Sequence, residues 1–229
     1  MSKIPTIEQM LKAGMHFGHR TSKWHPKAEP FIFTKRHGVH IIDLVKSRVL
    51  LSEALEFMEK LIQEGKVIMF VGTKMQAKKA IKELAEELSM PHVTEKWMGG
   101  CLTNFSVIKK MIKKYNDYIR DKQTGKLNKY TKKERLELEK EMTKLELKVG
   151  GLRNMTKVPD ALFVWDINNE KTAVLEAKKK NIPIVAICDT NVNPTGINYP
   201  IPSNDDATKT IKLLTNTIKE NLLAAKAKK

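Results

Sequence analysis

Only two of the 229 residues are cysteine, Cys101 and Cys188, and no CxxC pair occurs. That excludes a zinc ribbon and a disulfide framework. Two isolated cysteines read as small apolar residues buried in a reducing cytosol. Long apolar runs are missing as well. No stretch is long enough to cross a bilayer, and the opening MSKIPTIEQMLKAG has no signal-peptide core. A soluble, cytoplasmic protein is expected. Several enzyme signatures are lacking: there is no GxSxG, no HExxH and no readable Ser-His-Asp arrangement. Gly72-Thr73-Lys74 follows an apolar run, but a phosphate loop needs GxxxxGK[ST], and GxGxxG is not found either. The turn reads as a tight strand–helix connection with its lysine facing solvent.

Acidic side chains are also in short supply. The chain has 26 Asp plus Glu against 42 Lys plus Arg, a formal charge of +16. Such a surface seeks a polyanion, and phosphate backbones bind it by releasing counterions. Lysine far outnumbers arginine, so part of the excess reflects compositional bias. The 41% hydrophobic content suffices for one real core, as one large domain or one domain carrying an insertion.

Thr6 to Ala13 reads as a short helix capped by Thr6 and ended by Gly14. Met15 to Pro30 has neither helical nor strand period. Phe31-Ile32-Phe33 and Val39-His40-Ile41-Ile42 read as two strands around the turn Lys35-Arg36-His37-Gly38. Asp43 opens a helix to about Gln63, with Leu44, Leu51, Leu55, Met58 and Ile62 inward. Strand and helix then alternate. Val67 to Val71, Ala161 to Trp165 and Ile182 to Cys188 are apolar runs suited to strands buried on both faces. Helices follow at Gln76 to Leu88 and Glu170 to Lys180. A short segment at Tyr199-Pro200-Ile201 precedes a last helix capped by Asp205 or Asp206. This alternation indicates a mostly parallel sheet with helices on both faces.

The middle of the chain breaks the rhythm. Residues 106–157 hold 16 Lys or Arg and 7 Asp or Glu, a net +9. Ile108, Met111, Tyr115 and Tyr118 form one heptad-like seam, and Leu138, Met142, Leu145, Val149 and Leu152 another. A turn signal separates them, Thr131 with Glu134 makes a capping box, and Gly150-Gly151 marks an end. The reading is an antiparallel helical hairpin inserted into the α/β domain, too short and too charged to carry its own core.

Candidate sites follow from residue type. Five of the six histidines lie in the first 40 residues. His16 and His19 are possible metal ligands. Asp166, Asp189 and Asp205 fall where a parallel sheet builds its crevice. A histidine with two carboxylates, His19 with Asp189 and Asp205, is a legitimate ligand set for a structural zinc or magnesium ion. The competing reading is that aspartates after strands are caps and turn formers. No cofactor is required by either reading. The N-terminal loop, with His16, Arg20, Lys23, Trp24, His25 and Lys27, combines cations with rings that stack on unpaired bases. Phe31 is favoured for the core. Trp97-Met98-Gly99-Gly100 reads either as a place of close backbone approach or as a hinge before the hairpin. Lys109, Lys110, Lys113, Lys114 and Arg120 repeat at one-turn spacing. With no matching acids on their own helix, they point to phosphate contact.

These residues resemble the bacterial small-subunit ribosomal protein two family over nearly the whole chain. The resemblance rests on ordered blocks. They are Met10 to His19, His25-Pro26-Lys27, Pro30 to Phe33, Val39 to Leu44, Phe70 to Lys74, Trp97 to Asn104, Leu145-Glu146, Gly150-Gly151-Leu152, Pro159 to Val164, Ile182 to Asn191 and Ile201 to Ala207. The resemblance implies a three-layer α/β/α domain with an inserted coiled-coil hairpin. It implies a seat on the solvent side of the small subunit, between head and body, against 16S rRNA, and a part in anchoring ribosomal protein one. Archaeal and eukaryotic relatives generally lack the long hairpin, so its presence points to a bacterium or organelle. Many bacterial members carry an acidic C-terminal extension, whereas the sequence here closes on Ala-Lys-Ala-Lys-Lys.

The expectation is therefore an α/β protein with a mostly parallel, Rossmann- or flavodoxin-like sheet. It spans 1–105 and 158–229 and is interrupted by a basic coiled-coil hairpin at 106–157. Its expected role is a structural, non-enzymatic constituent of the small (30S) subunit that supports translation, with no membrane or DNA partner. The expected partners are 16S rRNA, other small-subunit proteins and ribosomal protein one. The RNA-facing set is His16, Arg20, Lys23, Trp24, His25, Lys27, Lys35, Arg36, Trp97, Asn104, Lys109, Lys110, Lys113, Lys114 and Arg153. The alternative is an α/β ligand- or metal-binding enzyme using the crevice near Asp166, Asp189 and Asp205.

Overall fold

A computed structural model describes residues 3–227, so Lys228 and Lys229 of the basic tail lie outside it. In chain order its main elements are α1 (Ile7–Ala13), β1 (Phe17–Arg20), β2 (Ile32–Arg36), β3 (Val39–Ile42), α2 (Leu44–Gln63), β4 (Ile68–Val71), α3 (Lys78–Leu88) and β5 (His92–Val93). The hairpin helices α4 (Phe105–Gln123) and α5 (Lys132–Val149) follow. The chain ends with β6 (Ala161–Val164), α6 (Lys171–Lys179), β7 (Ile184–Cys188), β8 (Tyr199–Pro202) and α7 (Thr208–Ala227). Among the described residues no helix is long and apolar enough to cross a membrane.

The apolar runs become the centre of a five-stranded sheet in the order β5-β4-β6-β7-β8, with every neighbouring pair parallel. Every residue of β4, β6 and β7 is buried. Successive side chains point to opposite faces, so each strand feeds two cores. Ile68, Phe70, Ala161, Phe163, Val185 and Ile187 meet α2, α3 and α7 on one side. Met69, Val71, Leu162, Val164, Ile184 and Ala186 meet α6 and the hairpin root on the other. Two helical layers around one parallel sheet are the three-layer architecture expected.

A second sheet, β1-β3-β2, is antiparallel. The stretch read as having no period contains β1. A four-residue strand whose side chains are all exposed or half-buried has no apolar alternation to announce it. Tertiary bonds hold it instead: His19 N donates to Thr190 Oγ1 at 2.8 Å, and Asn204 Nδ2 donates to the Phe17 carbonyl at 2.6 Å. Gly18 lets the strand lie this close, because a Cβ there would stand 2.6 Å from Thr190 Cγ2. The turn between β2 and β3 is also tighter than expected. Lys35 and Arg36 belong to β2, and only His37 (φ 48°) and Gly38 (φ 74°) make the left-handed corner.

Helix signals were mostly legible. Thr6 and Gln9 cap α1 reciprocally and Gly14 ends it at φ 80°. Asp43 accepts from Val45 N and Lys46 N at the start of α2. At α7 the expected cap is wrong. The amides of Asp206 and Ala207 donate to Asn204 Oδ1, at 3.0 and 2.7 Å, and Asp205 is turned inward to other partners.

Helices α4 and α5 pack against each other as a helical hairpin, and α5 carries the Thr131–Glu134 capping box. Ile108, Ile112, Tyr115, Met142, Leu145 and Val149 are buried and continuous with the core on that side of the sheet. Ile112 takes the place read for Met111, which with Tyr118 is only half-buried. Between Tyr115 and Met142 no described residue is buried. The root of the hairpin is thus core and its outer half is surface.

Candidate functional site

Parallel strands bring their C-terminal ends to one edge, and in this chain each such end carries a polar residue. Numbered by chain order, the five parallel strands run 2-1-3-4-5, so the order reverses between β4 and β6. That is where sheets of this kind usually bind ligands. Here the loop after β4 places Lys74 at that point. Its Nζ lies 2.8 Å from Asp205 Oδ1, 2.7 Å from Asp206 Oδ1 and 3.7 Å from Asp166 Oδ2. The lysine side chain is 13% exposed, so the expected solvent-facing lysine is instead an internal cation. Beside it Glu170, itself buried, accepts the Thr73 amide at 2.8 Å.

Charge and burial compete in this cluster. Burial lowers the Lys74 ammonium, but contact with Asp205 and Asp206 outweighs it and leaves the pKa raised. Burial, then the charges of Asp189 and Asp166, push Asp205 up to about 7 against the pull of Lys74. Glu170 is raised, chiefly by burial.

His19 reaches the same edge from β1. Its Nδ1 is 3.1 Å from Asp189 Oδ1 and its Nε2 is 3.7 Å from Asp206 Oδ2. The Asp189 contact raises its pKa above the ordinary value, against partial burial. The groups whose ligand atoms all lie within 4.8 Å of one another are His19, Asp205 and Asp206. Asp189 stands on the other nitrogen of His19, with Oδ1 also accepting from Thr190 N. Its Oδ2 is buried and has no partner. One imidazole and two carboxylates have the donor chemistry of a small divalent cation site, with Asp206 in the place expected for Asp189.

The RNA-facing residues fall into distinct settings. Arg20, Lys23, Lys27, Lys35, Arg36, Asn104, Lys109, Lys110, Lys113 and Arg153 are exposed. Trp24 is exposed with its ring tilted against His40 at 5.1 Å. His16 and His25 are half-buried, and His25 Nδ1 accepts the Lys27 amide. Phe31, read as core, is also half-buried. Lys114 meets Glu141 of α5 and Lys122 lies 3.6 Å from Glu139, so these two cations have acidic partners across the hairpin; Arg120, expected to lack an acid on its own helix, pairs there with Asp117 at 2.8 Å.

Trp97 does not belong with them. It is 9% exposed and its Nε1 donates to Glu176 Oε1 at 3.1 Å. Glu176 is the functional residue that sequence reasoning missed. Its carboxylate also accepts from Gly100 N at 2.8 Å, Leu102 N at 2.9 Å, and Thr103 N and Oγ1, both at 3.1 Å. Burial raises its pKa, but these donors more than reverse that and hold it low. One carboxylate therefore ties down the whole loop that leads into the hairpin. A signal was present: Glu176 shares the apolar face of α6 with the buried Ala173 and Ala177, where an unpaired charge would be costly. Phe33 was also overlooked as a surface residue and is 73% exposed.

Comparison with known proteins gives a consistent picture. The family model described as ribosomal protein S2 matches residues 10–225. The small ribosomal subunit protein uS2 of Salinibacter ruber is 48% identical over 213 residues, covering 93% of this chain and 67% of that protein. Its counterpart in Mycobacteroides abscessus is 47% identical over 215 residues, covering 94% and 78%. That of Fusobacterium nucleatum is 47% identical over 216 residues, covering 94% and 87%.

Proposed function

The chain belongs to the ribosomal protein S2 family, and from that membership we infer that it is a structural constituent of the small ribosomal subunit. It is located in the ribosome in the cytoplasm and supports translation. The match over residues 10–225 is the observation that carries this reading. Contact with 16S rRNA is made mainly through phosphates, by the exposed cations of the N-terminal loop and of α4. Arg20, Lys23, Lys27, Lys35 and Arg36 serve on the first surface, and Lys109, Lys110, Lys113 and Arg153 on the second. Such contacts position a protein without reading sequence. Other small-subunit proteins are its neighbours, and the family resemblance favours ribosomal protein one among its partners.

The chain is not an enzyme in this reading. What supports this is the filling of the switch point: Lys74 and Glu170 occupy the crevice that a ligand would need. The test is rRNA-fragment binding across a salt series together with sedimentation. Affinity should fall steeply with salt and the chain should travel with small subunits. A flat salt response, or failure to sediment with the particle, overturns the reading.

A divalent cation held by His19, Asp205 and Asp206 completes the proposal; Asp189, expected as a ligand, faces the other nitrogen of His19 and orients the ring. The convergence of one imidazole and two carboxylates favours it, and the imidazole favours zinc over magnesium. Elemental analysis of the purified chain and of His19→Ala tests it. A metal-free parent chain that also fails to take up zinc on titration removes the site.

A further inference from the structure

Two surface grooves differ in character. The larger, about 780 Å³ beside Gly151, is lined by six Lys or Arg side chains against three acids. The smaller, about 370 Å³, is mainly apolar. Ile4 and Ile7 form one wall, and Val45, Arg48, Val49, Ser52 and Glu53 of α2 form the other. Ile7 and Leu11 stand one turn apart on α1, as Val45 and Val49 do on α2. All four are exposed, Val45 by 62% and Val49 by 55%. Single exposed apolar residues are ordinary, but two such pairs on neighbouring helices make a patch.

Both walls are set by the fold itself. Met10 of α1 is fully buried, and Thr210 Oγ1 donates to the Ala13 carbonyl at 2.9 Å. Lys3 N donates to Asn221 Oδ1 at 2.7 Å and Asn221 Nδ2 donates to the Lys3 carbonyl at 2.9 Å. These bonds tie the segment that carries Ile4 to α7. Ser47, Leu51 and Leu55 bury the opposite face of α2.

The charge around this groove is unusual for the chain. Glu8 is met by Lys12 at 2.6 Å, and Lys3 by Glu220 at 3.7 Å. Glu53 and Glu56 are exposed and, among the described residues, have no Lys or Arg within ion-pair distance. Arg48 is the one cation on the described lining. In a chain of formal charge +16, an apolar groove rimmed by two unpaired acids is a local reversal. Phosphates gain nothing from the apolar rows and are repelled by the acids. A second copy of the chain fits no better, because a stable dimer buries about 800 Å² per partner, more than these four side chains expose. A third helix laid between α1 and α2 suits both features. Apolar residues at i and i+4 fill the trough, and Lys or Arg beside them stand over Glu53 and Glu56.

We propose that the groove between α1 and α2 seats a basic amphipathic helix of a neighbouring small-subunit protein. The inference rests on the ribosomal reading above and adds a protein-facing surface to the RNA-facing ones.

The first test carries a benzophenone side chain in place of Val49, in the full chain, into assembled small subunits. Irradiation should join it to one protein of the particle, at a helical segment with apolar residues at i and i+4 and Lys or Arg beside them. Glu53→Lys with Glu56→Lys should cut the crosslink at least about fivefold. Val45→Asp should abolish it with the melting temperature unchanged, since that side chain is exposed. Crosslinks to rRNA alone, to a second copy of this chain or to an acidic segment overturn the proposal, as does no crosslink in particles that contain the chain. The second test uses the free chain and a stapled helix of leucine and lysine, which the overall charge of the chain repels. It should shift the amides of residues 4–11 and 45–56, and Glu53→Lys with Glu56→Lys should weaken it at least about fivefold. Shifts only elsewhere, or no weakening, overturn the proposal. This second test needs no ribosome. A chain that fails to enter small subunits counts against the ribosomal reading, while the peptide still judges the groove.

Discussion

Lys74 Nζ lies 2.8 Å from Asp205 Oδ1, and this contact joins the loop after β4 to the loop after β8 across the top of the parallel sheet. Asp205 is 1% exposed. Asp206 and Asp166 also face Lys74, so one lysine serves three carboxylates, while Asp189 pairs with His19. A buried ion pair is weak evidence for net stability, but removing one partner leaves charges uncompensated.

Lys74→Met should therefore destabilise the chain by about 3–5 kcal/mol at pH 8. The loss should shrink at pH 5, where the abandoned carboxylates take up protons. Urea unfolding at both pH values checks this. An equal loss at the two would mean that packing, not charge, is what the lysine supplies.

Asp205 makes its own prediction. Its pKa of about 7 lies above the unfolded value near 3.9, so the native state binds the extra proton. Its contribution is favourable at low pH and is lost as pH rises through about 7. Asp205→Asn should flatten the decline in stability between about pH 4 and pH 7. A slope as steep in the variant as in the parent chain would assign that decline to other groups.

Glu176→Gln keeps the shape of the side chain but replaces an acceptor oxygen with a donor, facing amides that also donate. The cost should be about 2–3 kcal/mol. The Glu176 pKa is held below the ordinary value, so its stabilisation is full above the unfolded pKa near 4.3 and fades as pH falls through the lower folded value. Hydrogen exchange at Gly100, Leu102 and Thr103 should accelerate in the variant while the sheet stays protected. Unchanged exchange there would remove the carboxylate from its assigned role.

Gly18→Ala places a Cβ 2.6 Å from Thr190 Cγ2 and 2.7 Å from Thr190 Oγ1. It should cost about 1–3 kcal/mol and loosen β1, whose His19 amide uses that same hydroxyl. Adding Thr190→Ala should recover part of the loss, since the clash is with that side chain. A strictly additive double variant would contradict the close approach.

Much of the architecture was legible because its causes are local. Unbroken apolar runs such as Ile68–Val71, short and rich in branched and aromatic residues, suit doubly buried strands, and Thr6, Asp43 and Thr131 cap their helices with their own side chains. The errors share a cause. β1 has no pattern of its own and exists through Thr190 and Asn204. Trp97 read as a surface ring because nothing near it in the chain reveals Glu176, which is 79 residues away. Lys114 looked unopposed because its acid, Glu141, lies on α5.

The class of fold, the excess positive charge, its concentration in the hairpin and the family can all be read along the chain. Periodicity, capping and composition act over a few residues or over the whole chain, and both scales can be read along a line. That Lys74 turns inward, that Glu176 holds the loop ahead of the hairpin and that a groove opens beside Gly151 emerges in three dimensions alone. Each of these depends on groups far apart in sequence meeting within a few ångströms. At that range burial and charge set the fate of a side chain, and residue type alone cannot.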